Sequence, residues 1–167
     1  MSVTCPVRRI MLASEGRAFR VEAVQFAIAL ASRHEASIDV LSVARVWGSA
    51  FGFPHPGLLP SVRELDAHRD RVAAVLASFS QAGISGEGMV LSSRQPAKHI
   101  AQQAERRGCD TIVMSADRRR HWLVADFMWS QEPYRVRRRT ALRVILIPEP
   151  AGDVPTMRTP ASISETT

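Results

Sequence analysis

Ser14-Glu15 and Ser115 each close a short apolar run, and Glu132 stands directly before Pro133 at the start of a helical pattern. Hydroxyl and carboxylate groups at the ends of buried strands suit the hydroxyls of a sugar, and arginine beside them suits a phosphate. Arginine is abundant: Arg118, Arg119, Arg120, Arg135, Arg137, Arg138, Arg139 and Arg143 crowd the final third of the chain. Glycine is not, and none occurs between Gly108 and Gly152. A loop that cradles phosphate with backbone N–H groups needs glycine for its positive φ angles and close approach. An anion bound here would therefore be held by guanidinium forks. Otherwise Glu132 itself answers the positive end of the helix dipole, while Pro133 removes a donor from the same first turn.

Other chemistries lack their residues. His34, His55, His68, His99 and His121 are scattered without metal-ligand spacing, and His34 and His68 are expected on solvated helix surfaces. Ser14 and Glu15 have no histidine partner in the pattern, so no nucleophile, no catalytic residue and no metal site is expected, and the chain does not read as an enzyme. Cys5 and Cys109 form neither a zinc spacing nor a disulfide framework, and Cys109 reads as a small buried residue.

The elements that must position these residues are legible from periodicity. "VRRIMLA" is a strand that breaks at Ser14-Glu15-Gly16, and Ala23, Phe26, Ala27, Leu30 and Ala31 then recur on one helical face. "SIDVLSVARV" is a second strand, suited to burial on both faces. A Gly- and Pro-rich loop over 47–60 leads into a helix over about 61–82, carried by Leu65, Val72, Leu76 and Phe79. "ISGEGMVL" gives a third strand, weakened by Gly86 and Gly88. Ser93 as cap, Pro96 in the first turn and Gly108 as stop frame a helix with Ala97, Ile100, Ala101 and Ala104 inward. A fourth strand over 111–114, a helix over 133–140 and a fifth strand "LRVILIP" complete the pattern. The fold class expected is α/β: one Rossmann-like domain over 1–148, an open parallel five-stranded sheet with helices on both faces. Residues 149–167 are polar and aperiodic and read as a disordered tail.

At 167 residues the chain suits one domain. No apolar run is long enough to span a membrane and no signal-peptide core opens the chain, so a cytoplasmic location is expected. The net charge of +6 raises nucleic acid as a partner. Nucleic acid is nonetheless not the expected partner, because the arginines lack interleaved aromatic residues and part of their run falls on a strand that should be buried or paired. Between Trp122 and Trp129 "WLVADFMW" is almost wholly apolar. It either folds over the carboxyl edge of the sheet and fills the cleft there, or presents Trp122, Phe127, Met128 and Trp129 to a protein partner.

In order and spelling these segments resemble the universal stress protein family. "RRIMLASEGRAFRVEAVQFAIALASRHEASIDVLSV", "QPAKHIAQQAERRGCDTIVMS" and "EPYRVRRRTALRVILIP" look like its opening β-α-β unit, its third helix with fourth strand, and its last helix and strand. The resemblance implies a stress-response role, a homodimer through the last strand, here Val144, Ile145, Leu146 and Ile147, and in one subset the binding of ATP. In that subset a glycine ends the fourth strand, a second follows after two residues, and a Gly-Ser or Gly-Thr pair begins the last helix. Ser115, Arg118, Ser130 and Gln131 stand at those positions, so every glycine is replaced. Ser14 and Glu15 match the acidic turn after the first strand, and Val43 and Met114 match positions that flank adenine. The expectation is a protein without a cofactor, acting through protein contacts. The alternative is an ATP- or AMP-binding switch in which Ser14, Glu15, Val43, Met114, Ser115, Arg118, Ser130 and Gln131 surround the nucleotide.

Overall fold

The computed structural model describes residues 6–46, 59–116 and 132–148. The expectations for Arg118, Ser130, Gln131, Trp122, Phe127, Met128 and Trp129, and for the tail, fall outside these residues. Five strands alternate with four helices: β1 (Arg9–Ser14), α1 (Val21–His34), β2 (Ser37–Arg45), α2 (Val62–Gln81), β3 (Gly88–Ser93), α3 (Pro96–Arg106), β4 (Thr111–Ala116), α4 (Glu132–Arg139) and β5 (Arg143–Pro148). All pairings are parallel, in the order β3-β2-β1-β4-β5. The α/β reading is therefore correct, and the order in which strands are added reverses between β1 and β4.

Register explains why both faces are apolar. One row crosses all five strands as Gly88, Val40, Leu12, Val113 and Ile145, and the next as Met89, Leu41, Ala13, Met114 and Leu146. The first row packs with Ala23, Ala27 and Ala31 of α1 and Val72, Val75 and Phe79 of α2. The second packs with Ala97, Ile100 and Ala104 of α3 and Val136 of α4. Each fully buried Leu, Val or Met on these rows contributes about 1.5–3 kcal/mol by leaving water. Gly88 begins β3 rather than weakening it. A Cβ there would collide with Val72 Cγ1 and Leu76 Cδ1, so the missing side chain is what lets α2 lie against this edge strand.

Four local expectations change. In α1 the buried stripe is the strict i, i+4 series Ala23, Ala27 and Ala31, whose small size allows close approach, while Phe26 is 37% exposed. Ser93 is not the cap of α3. Gln95 holds that position without a side-chain cap bond, and Ser93 Oγ instead accepts the Gln95 N–H and bonds His99 Nδ1 at 2.6 Å. His68 is not solvated: it is 7% exposed, and its Nδ1 lies 2.7 Å from Ser42 Oγ, tying α2 to β2. The arginine run does not sink into the sheet at its end either, since Arg143 on β5 is exposed.

At the amino ends of the strands a fully buried carboxylate, Asp39, holds the sheet's lower rim. It accepts Arg9 Nε at 2.9 Å, Arg107 Nη1 at 3.1 Å and the Glu87 backbone N–H at 3.2 Å. A buried charge is tolerable when both oxygens are paired in this way.

Candidate functional site

In open α/β sheets ligands lie beyond the carboxyl ends of the strands, where the strand order reverses. Here that point is between β1 and β4, and Ser14, Glu15 and Ser115 are brought together there. They line a cavity of about 230 Å³ with Leu12, Ala13, Arg17 and Phe19. This volume lies below the ~300 Å³ at which small-molecule pockets ordinarily begin.

The turn after β1 closes on itself. Ser14 Oγ donates to the Arg17 carbonyl, Gly16 takes a φ of 108° that favours glycine, and Arg17 Nη2 reaches Glu15 Oε1 at 2.7 Å. Glu15 is only 2% exposed. Burial pushes its carboxyl above the usual range, the Arg17 charge opposes the shift, and the nearby charge of Glu132 adds to it.

Glu132 is the centre of the arrangement on the other side of the cleft. Although it opens α4, it is 3% exposed and both its oxygens are engaged. Oε2 accepts the Ala97 N–H from the first turn of α3 at 3.2 Å. Oε1 lies 2.8 Å from Arg135 Nη1 and 2.9 Å from Arg45 Nη2, the latter at the end of β2 and almost buried. An N–H at a helix start and two guanidinium groups make up an anion-binding set. The anion in it is the chain's own carboxylate.

The remaining candidates separate. Val43 and Met114 are fully buried in the core beneath α3 and α4 and do not line the cavity. Sequence reasoning placed Glu132 at its helix start but missed Arg45, Ala97 and Arg17. Arg45 carried a signal, as a charged residue ending a largely apolar strand. Ala97 carried none, because it acts through its backbone. Among the described residues no group of three His, Cys, Asp or Glu side chains forms a metal-binding cluster, and no helix is long and apolar enough to cross a membrane.

A solved universal stress family protein from Burkholderia pseudomallei shares the fold with a TM-score of 0.64 at 17% identity, over 87% of this chain and 98% of that one. The universal stress protein from Archaeoglobus fulgidus in complex with dAMP gives 0.61 at 15% identity, over 85% and 98%. A family protein from Arabidopsis thaliana with AMP bound gives 0.56 at 15%, over 90% and 97%. No curated protein matches in sequence. The model of the universal stress protein family matches residues 6–125, most of the chain, and the chain belongs to that family.

Proposed function

We propose that this chain is a non-enzymatic, cytoplasmic, homodimeric stress-response protein that acts through protein contacts and does not hold ATP by a glycine loop. Its domain spans 1–148, with 149–167 as a tail. The observation that carries the reading is Glu132, whose buried carboxylate takes up the Ala97 N–H, Arg45 and Arg135 together. The residues present do not fit a phosphate held by backbone donors: the glycines are replaced, and an anion in this set would have to displace a buried carboxylate. Dimerisation rests on β5, an edge strand whose Val144, Ile145, Leu146 and Ile147 are all half-buried. Pairing this edge with a second copy removes an exposed row of backbone donors and acceptors.

The test is mass spectrometry of nucleotide released on denaturing the freshly purified full chain, with sedimentation velocity at micromolar concentration. The reading requires a dimer without stoichiometric nucleotide. A monomer sinks the dimer, and stoichiometric bound nucleotide sinks the reading of Glu132 as the resident anion.

A second reading is favoured by the cavity at Ser14, Glu15 and Ser115 and by the dAMP and AMP carried by the relatives. In it the chain is an adenine-nucleotide switch, with Glu15 on the ribose and Arg118 and Arg135 on phosphate. Ser14, Val43, Met114, Ser115, Ser130 and Gln131 would complete that surround. Released AMP or ATP in the same experiment would select it.

A further inference from the structure

Charge is unevenly divided between the two faces of the sheet. On α1 and α2 exposed arginines alternate with exposed acids such as Glu22, Glu64, Asp66 and Asp70. On α4 the only acid is Glu132, which is buried and already paired, while Arg137, Arg138 and Arg139 are exposed. Arg143 follows at the start of β5 and is exposed as well. Among the described residues none of these four arginines has an acidic partner. The nearby exposed acid, Glu105 of α3, accepts the Thr140 hydroxyl at 2.9 Å. Its neighbour Arg106 is exposed and adds to the same corner.

One cation near a helix C-terminus is accounted for by the helix dipole. Three in succession, with a fourth on the adjoining strand, repel one another and exceed that need. Arg143 pairs in register with Thr111, the first residue of β4, and Pro148 with Ala116, its last. The patch therefore lies at the amino ends of the strands, about 15 Å along the sheet from the cleft.

We propose that this α4–β5 corner is a docking surface for the phosphate backbone of duplex nucleic acid, bound without sequence preference. The chemistry selects this partner among polyanions. Guanidinium groups match phosphate oxygens as planar forks, and backbone contacts of this kind need no groove-reading side chain. Bases of a single strand would call for aromatic platforms, and the α4 run from Arg135 to Arg139 contains none. A membrane surface would call for apolar anchors beside the charge. Among the described residues the exposed large apolar ones, Val21, Phe26, Leu59 and Val62, instead lie on α1 or at the start of α2, on the opposite face. The same absence disfavours an acidic peptide, whose docking is ordinarily anchored by buried aromatic or aliphatic side chains.

The test is fluorescence anisotropy of the full-length protein with a labelled mixed-sequence DNA duplex of about 24 base pairs, titrated with salt. The expected result is binding that weakens steeply with salt, with a log–log slope of about −0.9 for each phosphate neutralised. A triple Arg137→Gln, Arg138→Gln, Arg139→Gln variant should bind at least tenfold more weakly and with a shallower slope, at unchanged melting temperature. A control triple, Arg33→Gln, Arg63→Gln and Arg69→Gln on the other face, removes equal charge and should lose far less. No binding near 50 mM salt, or equal losses in the two triples, overturns the proposal. So does tighter binding to phosphatidylserine vesicles or polyglutamate than to the duplex.

Discussion

The backbone N–H of Ala97 donates to Glu132 Oε2 across 3.2 Å, so the first residue of α4 caps the first turn of α3. The need is local. The N-cap of α3, Gln95, makes no side-chain cap bond, and Pro96 contributes no N–H, so Ala97 presents an orphan donor. The partner comes from 35 residues away in sequence and carries two arginines with it. The carboxylate thereby joins three elements at the carboxyl end of the sheet: β2, α3 and α4.

Removing that carboxylate should be expensive. Glu132→Ala leaves the nearly buried Arg45 without its ion pair and Ala97 without its acceptor, and a loss of about 3–5 kcal/mol is expected. Arg135 is about half exposed and contributes little of this. Combining Glu132→Leu with Arg45→Met should cost much less than the sum of the single changes, because no lone charge is left behind. Urea unfolding of the native protein and the four variants checks both statements. A single-mutant loss under about 1 kcal/mol would show that the pair does not organise the site.

Two buried groups should give stability opposite dependences on pH. The Glu15 carboxyl is raised above its ordinary 4.5, chiefly by burial. Its contribution is complete below that value and is lost as pH rises through the higher folded value. His68 is lowered from its ordinary 6.5, first by burial and then by the Arg71 charge. The unfolded chain therefore takes up its proton first, and stability is lost as pH falls below 6.5 toward the folded value. Glu15→Gln should gain on the native protein as pH climbs above 4.5, and His68→Gln should lose the decline on the acid side. Unfolding free energies between pH 4 and 8 measure both; a constant difference between variant and native protein across that range would contradict the assignment.

Cys109 should be inert in the folded protein. It is buried in the core under α3, and burial pushes its thiol up to about 11. The thiolate is the reactive species, so a Cys5→Ser variant should remain unmodified by a thiol reagent at pH 8 and take up one equivalent once unfolded. Intact-mass measurement before and after adding urea reads this directly. Rapid labelling of the native variant would mean that the α3 side of the core opens readily.

Much of this arrangement is written in the sequence as periodicity. Alternating apolar strands and helices gave the parallel sheet, because the three central strands are buried on both faces and every helix needs only one apolar stripe. Some of the misreadings came from a polar residue in an inward position. His68 stands four residues before Val72 and eleven before Phe79, on the stripe α2 buries, so its position carried a signal that its chemistry masked. Asp39, on a strand read as suited to burial on both faces, is the acceptor for Arg9 and Arg107. The capping of α3 by Glu132 had no local signature, since the two residues meet only when α3 and α4 pack side by side. Gly88 misled in the other direction: its lack of a side chain serves helix packing against an edge strand.

At the carboxyl end of the sheet the chain's own carboxylate, Glu132, occupies the anion-binding set. The decisive experiment is calorimetric titration of ATP and of AMP into the full-length protein. The account predicts no saturable heat with either nucleotide at micromolar to submillimolar concentration. Stoichiometric micromolar binding of either one would contradict it, and would mean that the arginines hold phosphate while Glu132 stays in place or gives way.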